Sequence, residues 1–387
     1  RMKLAIVGGA LQGMEAVYLS KTAGFETVVI DKRKDAPALA MADEVGIIDP
    51  TENINAVMKI FGDCDAVLPA CEETDLLETL DAHLSEAGIP FLFDLNAYKT
   101  SCSKERSNIL MAEAGVPLPL PWPECGFPAI VKPSCQSGSV GVTAVKNEYE
   151  RQKALAKVAD LNDIPIIQEF VSGKSVSIEA IGNGRGACSY VTTEVVLDSN
   201  YDCKMVRCAP DILSPESDMI FRTACRKTAE AIGLNALMDM EAIDTVNGPK
   251  ILEIDARIPS QTPAAVEAGT GINLLKELAE CKTGEWKPKI NSGKAGIYEH
   301  YVFKDGVLCT CGETEFGRIK NPEMVSGLFG SYRMITDYKP GKTEWRATVI
   351  TKGRNMKEAE KERLSVLDRI IEEAGAKKFS DYGPEMV

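Results

Sequence analysis

Ala236-Leu237-Met238-Asp239-Met240-Glu241-Ala242-Ile243-Asp244-Thr245 and, after a short gap, Lys250-Ile251-Leu252-Glu253-Ile254-Asp255-Ala256-Arg257 are the stretches on which the fold turns. Both runs alternate apolar and acidic residues, and Asn247-Gly248 between them predicts a hairpin turn. Residues i and i+2 of a strand share a face, so Glu253 and Asp255 present their carboxylates together and the turn brings Glu241 opposite them. Three carboxylates are then expected to converge. Like charges this close raise one another's pKa, and such a cluster persists most easily around a hard cation. Arg257 continues the same period and adds a fixed positive charge. The competing reading is a solvated face on an edge hairpin; Met240, Ile251, Leu252 and Ile254 favour a packed sheet.

Working outward, Val131-Lys132-Pro133 leads into Ser134-Cys135-Gln136-Ser137-Gly138-Ser139-Val140-Gly141. Small residues after a strand let backbone N–H groups turn toward an anion, and Lys132 stands ready to neutralise it. The loop lacks the Gly-Lys-Ser/Thr ending of a P-loop, and a plain surface hairpin has the same composition. Ile167-Gln168-Glu169-Phe170-Val171 is a strand running into Ser172-Gly173; a strand that ends in a linker offers its backbone to an adenine edge, and a simple core strand reads the same way.

The first hundred residues alternate strand and helix. Lys3 to Val7, the helical Gln12 to Ala23, Thr27 to Ile30, Ala66 to Leu68, the helical Asp75 to Ala87 and Pro90 to Phe93 predict an open parallel sheet. Gly8, Gly13 and Asp31 stand where a dinucleotide fold wants them, but Ala10 replaces the middle glycine and its Cβ opposes close approach of a pyrophosphate. A Pro-rich passage, Val116 to Pro123, ends the helical Lys104 to Ala114. In the tail, strands near Gly296 to Phe303 and Trp345 to Thr351 precede a helix capped by Asn355. That helix carries the apolar stripe Leu364, Leu367, Ile370, Ile371 and Ala374, and Gly375 ends it.

The chain has 387 residues, 44 basic and 57 acidic, and a net charge of -13, which leaves no basic face for nucleic acid. The 12 cysteines form no CxxC pair, which predicts reduced thiols and a cytoplasmic protein. No apolar run reaches the length of a membrane span. Only two histidines, His83 and His300, are present, and neither lies in a nucleophile or HExxH context, so carboxylates, lysines and backbone amides are expected to do the chemistry.

These pieces in this order, metal carboxylates last, resemble the ATP-grasp ligases over nearly the whole chain. The resemblance implies an α/β ATP-grasp fold: a Rossmann-like parallel-sheet domain at 1–97, an ATP-grasp domain at 98–290 with a lid at about 123–172, and a C-terminal α+β domain at 291–387. It implies ATP held by Lys104, Lys132, Ser137, Gly138 and Ser139, with Gln168, Glu169, Phe170 and Val171 at the adenine. Two Mg²⁺ ions would be held by Glu241, Glu253 and Asp255, the last replacing a frequent asparagine. Arg257 and Lys132 take the catalytic places. Within the family the chain resembles the pyrrolysine-biosynthesis ligases, on Gly8-Gly9-Ala10-Leu11-Gln12-Gly13 and on Ile251 to Pro263, which implies amide formation between the carboxylate of 3-methyl-D-ornithine and the ε-amine of L-lysine through an acyl-phosphate. Substrate contacts are then expected at Leu11, Gln12, Glu72, Ser177, Glu179, Asp239 and Arg257, with Lys204 and Arg207 as weaker phosphate candidates. A carboxyaminoimidazole ribonucleotide synthase shares the architecture, and an NAD(P)-dependent oxidoreductase is the alternative of another class. Small amino acids are the expected partners, with nucleic acid and membrane excluded and a homodimer left open.

Overall fold

The computed structural model describes residues 1–290 and 293–381. They form two compact units: one of residues 1–93, 193–212 and the described residues from 258 on, the other of residues 94–192 and 213–257.

The first unit opens with a four-stranded parallel sheet in the order Glu44–Ile47, Glu26–Asp31, Lys3–Val7, Ala66–Pro69. The inner strands are apolar on both faces, as a sheet covered on both sides requires. Helix Leu11–Thr22 follows a turn that only glycine permits: Gly8 lies at φ +113, and a Cβ there would stand 2.4 Å from the Ala70 carbonyl oxygen. Pro90 to Phe93 is not a full strand. It makes one bridge, Val67 to Phe91, because the segment closes on Val67 through single bonds at Pro90 O and Leu92 N. Glu44–Ile47 escapes sequence reading because Val45 and Ile47 face outward on an edge strand.

The same unit holds an antiparallel array of Thr193–Leu197, Cys203–Cys208, Ala295–Lys304, Glu344–Gly353, Arg333–Thr336 and Glu323–Ser326. Helix Met356–Glu373 packs Val366, Leu367 and Ile370 against Tyr301, Trp345 and Val349. Its Asn355 cap accepts the Glu358 N–H at 2.9 Å, and Gly375 turns the chain at φ +70. Leu364 does not join the stripe: one residue past Arg363, which reaches inward to Glu299, it points to solvent at 52 % exposure.

In the second unit, antiparallel strands Gly248–Asp255, Leu237–Thr245 and Lys174–Gly182 lie side by side, backed by helix Pro215–Ile232 through Phe221, Ala224 and Cys225. The hairpin turn falls on Val246 and Asn247, one residue earlier than the sequence suggests, and Gly248 at φ +95 opens the return strand. A three-stranded sheet, Thr143–Val145, Ala129–Pro133 and Pro165–Glu169, is covered by helix Glu148–Asp160 through Ala154 and Val158. Among the described residues no helix is long and apolar enough to cross a membrane.

Candidate active site

The register of the second unit sets the site. Asp255, Asp239 and Glu179 stand in one row across the three strands, and Glu253, Glu241 and Ser177 stand in the next row. The rows are two residues apart, so all six side chains share one face. A β-bulge sustains this arrangement. Glu241 pairs with Glu253 but Ala242 pairs with Ile251, so Leu252 is the extra residue. The bulge lets Ile251 bury on the opposite face, while Glu253 stays with the carboxylates.

Lys104, Lys132, Glu241 and Glu253 line one cleft together with Ser137, Gly138, Ser139 and residues Gln168 to Val171. Ser103 caps helix Lys104–Glu113 by accepting the Arg106 N–H, and this places Lys104 on the first turn. Its ammonium pairs with Glu253 at 2.9 Å and donates to the Gln136 carbonyl at 2.8 Å. Lys132, at 6 % exposure, donates to the Leu252 carbonyl at 3.3 Å. Burial pulls the Lys132 pKa down to about 8, against the pull of Glu253. Burial pushes Glu253 up, but Lys104 and then Lys132 outweigh it and hold it below its ordinary value. Glu241 stands exposed in the cleft, and desolvation and then the facing Glu253 raise its pKa to about 8. Asp239 is raised well above its ordinary value, first by burial, against Arg257 and with Glu241, Asp255 and Glu179 adding to it.

Gly138 and Ser139 adopt left-handed backbone at φ +62 and +61, with Val140 N–H on Ser137 O and Val142 N–H on Ser139 O, so the loop after Lys132 is a pair of tight turns. On the other wall, Glu169 accepts the Leu120 N–H at 3.0 Å, and Gln168 is buried in its strand.

The structure brings Glu241 and Glu253 together, but Asp255 turns to Arg257 at 2.9 Å. Among the described residues no three His, Cys, Asp or Glu side chains converge tightly enough to hold an ion by themselves. The donor set still suits Mg²⁺, which takes hard oxygens from one or two carboxylates and the rest from phosphate and water. The facing carboxylates of Glu241 and Glu253 mark where a cation would relieve the repulsion.

In the first unit, Leu11 begins its helix, Gln12 donates to the Ile258 carbonyl at 3.0 Å, and Glu72 is exposed just beyond strand Ala66–Pro69. Asp31, the residue a dinucleotide ribose would need, is already engaged: it accepts the Gly9 and Arg33 N–H groups, each at 2.8 Å. Lys204 pairs with Asp381 at 2.7 Å and Arg207 with Glu360 at 2.9 Å. His300 is fully buried, bonded to Thr348 Oγ1 and Gln261 Nε2 and stacked on Phe316, and burial lowers its pKa to about 3, so its ring is uncharged at neutral pH. Sequence reading missed Gln136 and Leu252, which contribute only carbonyl oxygens, a group every residue type carries.

Residues 104–261 match the family of the ATP-grasp domain and residues 4–92 match the PylC-like N-terminal domain. The chain is 37 % identical, over 80 % of its length and 81 % of the relative, to the 3-methyl-D-ornithine--L-lysine ligase of Methanosarcina mazei, and 36 % identical, over 80 % and 82 %, to the enzyme of that name from Methanosarcina barkeri. Among solved structures, the biotin carboxylase domain of Hydrogenobacter thermophilus 2-oxoglutarate carboxylase is similar with a TM-score of 0.74 at 18 % identity, covering 95 % of this chain and 90 % of that one. The ADP complex of an N5-carboxyaminoimidazole ribonucleotide synthetase reaches 0.70 at 15 % identity, covering 96 % and 97 %. At such identities these likenesses speak to the fold alone. Paired lysines facing paired carboxylates beside a small-residue loop, in a chain 37 % identical over four-fifths of its length to a 3-methyl-D-ornithine--L-lysine ligase, place this protein in the ATP-grasp family as an ATP-dependent carbon–nitrogen ligase.

Proposed function

We propose that the chain joins the carboxylate of 3-methyl-D-ornithine to the ε-amine of L-lysine, the reaction named for its Methanosarcina relatives. The observation that carries this reading is the two-row carboxylate face, Asp255-Asp239-Glu179 beside Glu253-Glu241-Ser177, next to the Lys104 and Lys132 ammonium groups. A diamino acid needs carboxylates for its ammonium groups, and phosphoryl transfer needs cations; this face supplies both in sequence.

In the proposed mechanism Lys104 and Lys132 hold phosphate oxygens of ATP, the turned backbone of Ser137 to Ser139 cradles them, and the Glu169 to Val171 backbone meets the adenine edge. Glu241 and Glu253 would hold Mg²⁺, with Asp255 reaching a second ion, and the metal's chemistry is to neutralise charge on the phosphates. The γ-phosphoryl passes to the ornithine carboxylate, giving an acyl-phosphate and ADP, with Arg257 steadying the carboxylate. The lysine amine then attacks the acyl carbon, phosphate leaves with the former carboxylate oxygen, and the amide forms. Positioning and charge supply most of the rate in such a transfer. An ε-amine with pKa near about 10.4 must lose a proton first, and Asp239, raised by burial, or Glu179 serves as its base. Leu11, Gln12 and Glu72 remain the proposed substrate contacts of the first unit.

The test labels the ornithine carboxylate with ¹⁸O. One label is expected in the released phosphate. Label reaching phosphate only when it starts in the lysine carboxylate would reverse donor and acceptor and refute the assignment.

A further inference from the structure

We propose that Cys102 and Cys135 form an oxidisable dithiol which a peroxide closes into a disulfide across the base of the small-residue loop, weakening nucleotide binding. Cys102 is the C-cap of helix Leu95–Ser101, Cys135 is the second residue of the loop that turns at Gly138, and both are exposed. The segments that carry them are strapped together through their immediate neighbours. Ser103 Oγ lies 3.5 Å from Ser134 Oγ, the Lys104 N–H donates to the Ser134 carbonyl at 3.0 Å, and the Glu105 N–H donates to Ser134 Oγ at 3.1 Å. Each cysteine sits one residue outside the Ser103–Ser134 contact. A disulfide needs Cα atoms within about 7 Å, and the bonds to Ser134 hold the two segments side by side. Cys102 is raised above its ordinary value first by partial burial and then by Cys135.

The reaction balances with one peroxide. Its terminal oxygen transfers to the exposed Cys135 sulfur, giving a sulfenic acid and water; the Cys102 sulfur attacks it as thiolate, the S–S bond forms, and hydroxide leaves to take up the thiol proton as a second water. Two electrons leave the dithiol and reduce the peroxide.

The consequence for the cleft follows from what adjoins each cysteine. Gln136 follows Cys135, and its carbonyl already holds the Lys104 ammonium at 2.8 Å. A bond at Cys135 fixes that carbonyl in place and keeps Lys104 on it rather than on a phosphate. This consequence rests on the ATP reading of the cleft; the covalent link does not.

The full-length chain treated with hydrogen peroxide, alkylated and digested is expected to yield a Cys102–Cys135 linked peptide lacking both thiol hydrogens. ATP with Mg²⁺ should bind about tenfold more weakly, the loss of one hydrogen bond to a charged group, and dithiothreitol should restore it. Cys102→Ser and Cys135→Ser should bind ATP like the reduced chain and ignore peroxide. Absence of the linked peptide, linkage through other cysteines, or undiminished peroxide sensitivity in both variants overturns the proposal, and linkage with unchanged ATP affinity overturns its coupling to the cleft. A reduced chain that fails to bind ATP refutes the function reading instead, while the linked peptide still reports on the dithiol.

Discussion

At the scale of single residues, Glu253 carries the largest share of the site. It faces Glu241 across the hairpin and pairs with Lys104, so it tunes both the metal seat and the first nucleotide lysine. Glu253→Gln keeps the shape and removes the charge; turnover is expected to fall at least about a hundredfold with the far-ultraviolet circular dichroism unchanged. Undiminished turnover would mean that the carboxylates are only a solvated face. Glu241 and Lys132 set a pH signature. Glu241 is raised from 4.5 to about 8, so its contribution to stability is whole below pH 4.5 and is lost as pH rises through 8. Lys132 is lowered from 10.5 to about 8, so the unfolded chain binds the extra proton between those values and stability recovers over that window. From these two groups the metal-free melting temperature should pass through a minimum near pH 8, and Glu241→Gln should flatten the acid-side limb. A melting profile in the variant that still falls from pH 5 to 8 as in the parent would show that other groups govern it.

At the scale of elements, the hairpin is informative because its bulge is invisible to periodicity. Strict alternation puts Ile251 on the face of Glu253; the extra residue Leu252 sends Ile251 into the core and frees a carbonyl for Lys132. The linker after strand Pro165–Glu169 is equally constrained. Gly173 lies at φ +155, and a Cβ there would stand 2.0 Å from the Asp244 carbonyl oxygen, so only glycine lets the chain pass the central strand. Gly173→Ala is expected to cost about 3 kcal/mol, read by denaturant titration, since backbone strain and a forced displacement of the strand both contribute. A loss under about 0.5 kcal/mol, the level of an ordinary surface change, would show that the linker shifts freely.

At the scale of the whole molecule, ATP dependence separates this chain from the oxidoreductases its first turn invites. ATP with Mg²⁺ at about a hundred times its Kd should add roughly 2.7 kcal/mol of stability, a rise of a few degrees in Tm, whereas NAD should add none because Asp31 already closes the Gly9 turn. Stabilisation by NAD alone would contradict this. The order of the pieces was legible in the sequence: the parallel opening, the Lys132 loop, the strand from Ile167, and the paired acidic strands all rest on local periodicity and turn chemistry, which neighbouring residues fix. The shared face of Glu253 and Asp255 follows from the same period of two. What required the tertiary structure was the pairing between distant strands. Register alone aligns Glu179 with Asp239 and Asp255, and Ser177 with Glu241 and Glu253, since no local rule says which residue of one strand opposes which of another. The turning of Asp255 to Arg257, the outward Leu364, and the capture of Lys104 and Lys132 by the carbonyls of Gln136 and Leu252 are likewise outcomes of packing, because a side chain's partner depends on what the rest of the fold leaves within reach.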